Sequence, residues 1–490
     1  MKRSCIYLVV VVLFLLTACV GKPYNVVKES AMPPIYPDYI GVTIPVGIAP
    51  LNFNIIADGF DGMVVHVRGK NGVEISAEGE YAQFGIDEWH NLLAQNKGED
   101  ITVTVTARVD GRWVQYSDFT IHVSQYPLDA WGVTYRRIAP GYEVYSKMGI
   151  YQRDLSNFDE SPIFENTSVT GSCVNCHTSN RTNPDQFVFH VRGEHGATAI
   201  QNAGRCELLK AKNDSINGAM VYPYWHPMGR YCAFSTNQTR QGFHVVRDER
   251  VEVFDLSSDI LVYDAESNEI ILSPIVSKRE TSENLPVFSP DGEWIYFITS
   301  PQHDYPLHFR DEKYDLCRIA FSSETGEFGI VVDTLFKASS RGKSVTWPRP
   351  SYDGKYLVFT LIDYGYFSIW HKEADFWIMN LETGESRCLS EINSIQSESS
   401  LNWSNNSRWI VFTSRRENGL YTQLYLSSIG DDGLFTKPFL LPQEKPWEYY
   451  DATLYSFNTP DFTCKPVDFD VKRVSRELVT DRRVNTVVRK

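Results

Sequence analysis

The 490-residue chain lacks most of the short patterns that announce an enzyme. It has no G-x-S-x-G elbow, which excludes a serine nucleophile raised on a strand-to-helix turn, and no room after its last repeat for the domain that would carry one. H-E-x-x-H and a Gly-rich phosphate loop are absent too, which removes the common zinc-hydrolase and nucleotide readings. Long apolar runs are scarce. The one at 6–16, IYLVVVVLFLL, has eleven residues, against the ~20 that span a bilayer. Basic charge is in deficit: Lys and Arg number 47 against 61 Asp and Glu, a formal charge of −14, which argues against nucleic acid as a partner.

The apolar run follows a basic MKRS, and Leu16-Thr17-Ala18-Cys19 then resembles a bacterial lipobox. The resemblance implies a signal peptide at 1–18, cleavage before Cys19, lipid on Cys19 and hence a membrane attachment. The next residue is Val20, not Asp, which fits sorting to the outer membrane. Losing Lys2 and Arg3 takes the formal charge from −14 to −16. Residues 19–40 read as a polar, Pro-containing tether. Residues 471–490 are locally basic and read as a solvated tail or surface helix.

Nine cysteines are present; Cys5 leaves with the signal and Cys19 takes lipid. Cys206, Cys232, Cys317, Cys388 and Cys464 are scattered and odd in number, so they read as isolated small side chains rather than a disulfide framework. Cys173, Cys176 and His177 form C-x-x-C-H. Three readings compete. A disulfide or dithiol needs only the two Cys. A zinc site needs two further ligands, and no second C-x-x-C or H-x-x-x-H exists. A covalent c-type haem uses every member: two thiols for the two vinyl groups, and the adjacent His177 as proximal iron ligand. Export suits that chemistry, because haem attachment to this motif takes place outside the cytoplasm. Candidate distal ligands are His190, His195, His226, Met148 and Met228. In QFVFHVR, period-two alternation puts His190 and Arg192 on one strand face, where they could supply a distal ligand and a propionate partner.

The pattern elsewhere is β. Residues 41–126 alternate with period two, as in Ile101, Val103, Val105 and Ala107, with a hairpin signal at Asp110-Gly111 and one short helix at 87–95. This predicts an immunoglobulin-like β-sandwich. From about 215 the chain repeats: YWHPMGRYCAF, VFSPDGEWIYF, PSYDGKYLVF and NWSNNSRWIVF place Trp225, Phe288, Pro350 and Trp403 at intervals of 63, 62 and 53.

FSPDGEWIYF resembles the blade motif of TolB-type β-propellers, whose usual form has six blades. The chain as a whole resembles bacterial envelope lipoproteins that join a sandwich, a C-x-x-C-H segment and such a propeller. The resemblance implies an all-β protein with a six-bladed propeller over 127–470, closed by residues 449–462 returning to the first blade, and with C-x-x-C-H inserted at 171–195 in a rim turn. It brings no defined reaction; with C-x-x-C-H and the lipobox it leads to a membrane-anchored protein bearing one covalent haem, an electron-transfer or haem-bearing protein with a redox or envelope protein as partner. The alternative is a non-enzymatic scaffold that binds a protein, peptide or glycan, with Cys173 and Cys176 as a structural disulfide.

Overall fold

A computed structural model describes residues 22–139, 147–202, 204–210, 216, 218–246, 249–452, 454–480 and 482–489. The signal segment and Cys19 lie outside the described residues. Among the described residues no helix is long and apolar enough to cross a membrane. The chain divides into two compact units, the first being residues up to 127 with 156–158 and 439–453.

The first unit is built on one seven-stranded sheet. Its long strands Phe60–Arg68 and Asp100–Val109 pair antiparallel, and the alternating Val65, Val67, Ile101, Val103 and Val105 are buried. Asp110 and Gly111 both take positive φ, 49° and 72°, as a two-residue primed turn demands. The expected helix forms at Ile86–Gln95 and buries Trp89, Leu92 and Leu93. Among the described residues a second full sheet does not form. Its place in the predicted sandwich is taken by that helix and a two-stranded ribbon, Ile35–Tyr36 with Asn54–Ile55. The tether expectation fails for residues 27–40. Val27–Lys28 pairs with Val114–Gln115, Tyr39 is fully buried, and its hydroxyl donates to the Leu440 carbonyl at 3.3 Å.

The second unit is a six-bladed propeller. Its innermost strands are Ser456–Thr463, Ser172–Asn180, Ala219–Trp225, Thr281–Phe288, Ser344–Pro350 and Glu398–Trp403. Each touches the next, and the last touches the first, so the ring closes. Blade 1 is composite: Gly132–Ile138, Gly149–Asp154 and Glu160–Glu165 receive Ser456–Thr463, with Gly132 opposite Thr463. Phe457 and Phe462 of that strand are buried.

Two recurrent devices shape the blades. The first is the turn after the inner strand. In Ser289-Pro290-Asp291-Gly292, the Trp294 amide donates to Ser289 Oγ at 2.9 Å, and the Ser289 hydroxyl donates to Asp291. Gly292 closes the turn at φ +80°, where a Cβ would lie 2.1 Å from His226 Nε2. Ser351 with Asp353, and Ser404 with Asn406, repeat the arrangement.

The second device is a bulge inside the inner strand. Register with the second strand skips two residues in every blade, and the first of the two has positive φ: Cys176, Tyr222, Leu285, Trp347, Ser400 and Thr459, all between 47° and 55°. The second is Pro in four blades (Pro223, Pro286, Pro348, Pro460), since a bulged residue has no ladder partner to lose. In blade 2 it is His177. C-x-x-C-H is therefore part of the innermost strand rather than an insertion in a rim turn. The rim turn of blade 2 is at Asn180–Asn183, with Arg181 at φ 54°.

The basic C-terminus is docked, not solvated. Helix Val471–Leu478 starts at Asp470, whose side chain accepts from the Arg473 amide, and it buries Val474 and Leu478 in the core around Phe187 and Phe189. Val487–Arg489 adds a parallel strand to blade 3 beside Glu269–Ile271. Leu478→Ala is expected to lower stability by about 3 kcal/mol. A urea midpoint equal to that of the parent would show the helix undocked.

Candidate functional site

The bulge gives each inner strand the same schedule of channel-facing positions. Two residues beyond the bulge stand Thr178, Tyr224, Val287, Arg349, Asn402 and Asp461. These plug the channel. Arg349 Nε donates to Asn402 Oδ1 at 2.8 Å, and its guanidinium lies 5.5 Å from the Tyr224 ring, reaching from blade 5 to blade 3. Asp461 accepts from the Ser179 amide at 2.9 Å and the Thr178 hydroxyl at 3.2 Å. Burial pushes its carboxyl up to about 7 against those hydrogen bonds and Arg349.

At the bulge level the ring is lopsided. Blades 3 to 5 carry Tyr222, Leu285 and Trp347; blades 6, 1 and 2 carry Ser400, Thr459 and Cys176. The small side chains leave a chamber of about 300 Å³, at the lower end of small-molecule sites. Tyr222, Trp347, Tyr366 and Trp370 give it aromatic walls, and Cys173, Met148, Arg136 and Arg192 line it as well. Among the described residues that line it there is no Asp or Glu.

Cys173 and Cys176 are both free thiols, as are the five scattered cysteines. Cross-strand pairing sets Cys173 opposite Arg192, and Asn175 opposite His190. Arg136, on the neighbouring strand of blade 1, donates from Nη2 to Cys173 Sγ at 3.4 Å and to Met148 Sδ at 3.5 Å, and from Nε to the Val174 carbonyl at 2.6 Å. Burial raises the Cys176 thiol, with Arg192 and Arg136 opposing. The structure thus brings Cys173, Cys176, Arg192 and Met148 together.

The histidines sit apart from the chamber lining. His177 takes the position that Pro holds in four other blades and packs against Phe187, centroids 6.1 Å apart. Neither of its ring nitrogens makes a hydrogen bond of good geometry, the Thr134 backbone being the polar group beside it, and burial lowers its pKa to about 3 against that neighbour. Arg192 lines the chamber and His190 does not; His190 Nδ1 is engaged with Thr198 Oγ1 at 3.0 Å, which donates on to the Met220 carbonyl. Burial and Arg192 lower its pKa to about 3. His226 is a turn residue, with Nδ1 accepting from the Met228 amide, and Met228 is exposed on the rim. His195 lies in the turn after the second strand of blade 2. Of the distal-ligand candidates only Met148 faces the chamber. Arg136 and the aromatic walls were not foreseen.

A covalent haem can be tested against this set. The free thiol pair fits, with Cys173 in the lining and Cys176 at the bulge beside it. So do two guanidinium groups for propionates, and a buried imidazole with two orphaned nitrogens calls for a partner. His177 does not face the chamber, and in that respect the fit is incomplete.

No protein-family model matches the chain, and no curated protein matches it. Among solved structures it is similar to TolB from Acinetobacter baumannii at 15% identity, over 78% of this chain and 86% of that one, with a TM-score of 0.43. A putative TolB from Agrobacterium tumefaciens is 12% identical over 69% and 99%, TM-score 0.36. An oligogalacturonate lyase in complex with manganese is 12% identical over 62% and 73%, TM-score 0.37. TM-scores below 0.5 are too low to carry a fold or a function, and the propeller rests on the six sheets and their closed ring.

Proposed function

We propose that this is a lipid-anchored envelope protein whose propeller channel holds one covalent c-type haem. The observation that carries the reading is the place of the thiols: C-x-x-C-H lies on the innermost strand, with Cys173 lining an aromatic-walled chamber and Cys176 at the adjoining bulge. Cys173 and Cys176 would hold the group through thioethers. Arg192 and Arg136 would meet its propionates. His177, with its orphaned nitrogens, is the proximal candidate and Met148 the ligand candidate within the lining. When bound, the group supplies one-electron transfer. The N-terminal Cys19 would tether the molecule to the membrane, outer by the residue that follows it, and a redox or envelope protein would be the partner. A propeller scaffold whose thiols form a disulfide is the second reading, favoured by the absence of His177 from the chamber lining.

Protein made with a cytochrome c maturation system is expected to give a pyridine haemochrome and to keep its colour through denaturing electrophoresis. Cys173→Ala with Cys176→Ala is expected to abolish both. A colourless parent chain with the two thiols oxidised to a disulfide would establish the scaffold instead.

A further inference from the structure

We infer that the channel chamber is a carboxylate-recognition site for ligands with a flat aromatic body, and that Arg192 is its anchor. This rests on the chamber rather than on thioether chemistry, and it applies to the haem-free chain.

Arg192 stands on the second strand of blade 2 and lines the chamber, yet it makes no hydrogen bond and no ion pair among the described residues. Its electrostatic neighbours are the thiols of Cys176 and Cys173 and the phenols of Tyr222 and Tyr366. Asp255 lies within electrostatic range, but its oxygens are taken by Asn237 and Asn284 amides and the Thr239 hydroxyl, and it is not in the lining. Desolvating a guanidinium without a counter-charge is costly, so this group is poised to take an anion. Arg136 adds a second cation whose Nε and Nη2 are committed to the Val174 carbonyl and to sulfur atoms. Two cations without a carboxylate among the described lining residues stand out in a chain of formal charge −14.

The walls specify the rest of the ligand. Tyr222 meets Trp347 and Tyr366 edge to face at 6.3 and 6.1 Å, a corner that presents ring faces to a planar group. Ser400, Thr459 and Cys176 leave room on the opposite arc, and the Arg349–Asn402–Asp461 layer closes one end. A ligand therefore enters from one mouth, stacks on the blade 3 to 5 side and turns its carboxylate to Arg192. Haem propionates and a free aromatic acid share that chemistry.

The test uses haem-free mature chain and 2-naphthoate as probe, with 2-naphthylmethanol as the neutral counterpart, by titration calorimetry. The acid is expected to bind one per chain and at least tenfold tighter than the alcohol. Arg192→Gln is expected to erase that preference with the thermal melt unchanged, and Arg192→Lys to keep part of it. Equal binding of acid and alcohol to the parent chain would overturn the inference, as would a preference that survives Arg192→Gln. If Arg192→Gln fails to fold, the acid-to-alcohol ratio of the parent and of Arg192→Lys decides. Haem attachment with no acid preference would sink this inference and leave the haem reading intact; an acid preference in a chain that never takes haem would do the reverse.

Discussion

A chain ending at residue 453 is expected to lose the whole propeller, not one frayed edge. The deletion removes Ser456–Thr463, which is the innermost strand of blade 1, and with it buried Phe457 and Phe462. Loss of each of those side chains is worth about 3–5 kcal/mol, against a total stability of about 5–15 kcal/mol for a typical domain. The same cut removes the helix that buries Val474 and Leu478. It exposes two strand edges where the ring was continuous, and unpaired edges recruit other chains. Far-UV circular dichroism with thermal melting is the measurement, and soluble yield should fall in parallel. A truncated chain that melts with the parent's midpoint would mean that the ring is held without its closing strand.

Glu312→Gln is expected to stabilise the protein at pH 8 by about 2–3 kcal/mol and to leave it unchanged near pH 4.5. Glu312 is fully buried, accepts from the Tyr305 and Tyr314 hydroxyls, and has one oxygen without a partner. Burial pushes its carboxyl up to about 7, with the like charges of Asp255 and Glu252 adding and the two tyrosines opposing. The folded pKa lies above the unfolded value of 4.5, so the stability linked to this group is whole below 4.5 and is lost as pH rises through 7. The shift corresponds to about 3 kcal/mol. Glutamine keeps an acceptor for both tyrosines and cannot ionise. Urea denaturation of parent and variant at the two pH values reads the difference, and parallel pH profiles would show that the carboxyl is not penalised.

The repeats were legible in the sequence because their turns need particular residues. Ser289, Asp291 and Gly292 each do a separate job in the turn, and Ser351-Tyr352-Asp353-Gly354 nearly restates them. The closing strand was legible as a deficit at one end of the chain matched by a surplus at the other. C-x-x-C-H was placed one feature too late, since blade 2 turns at Asn180–Asn183 without Ser, Asp or Gly to mark the spot. A better marker was present: the X-Pro pairs at Tyr222-Pro223, Leu285-Pro286 and Trp347-Pro348 each stand six residues before the turn glycine, and they register Cys176-His177 on the inner strand. The aromatic chamber and Arg136 could not be read, because the chamber's members come from all six blades and meet only through ring closure. In the first unit, period two identified strands but could not say whether they would pair into one sheet or two.

The seam of the ring carries an order of events. Ser456, Asn458 and Thr459 are part of the chamber wall, and they stand within the last thirty-five residues of a chain that is made from its other end. Blades 2 to 6 can stack as each emerges, with Cys173 and Cys176 already on the inner strand of blade 2, next to the gap where blade 1 still lacks its innermost strand. Until the C-terminus arrives, the thiols stand beside an open slot; afterwards the chamber is reached only through its remaining mouth. A planar guest too large for that mouth has its entry in that interval, so the closing strand sets the size of what can still come in.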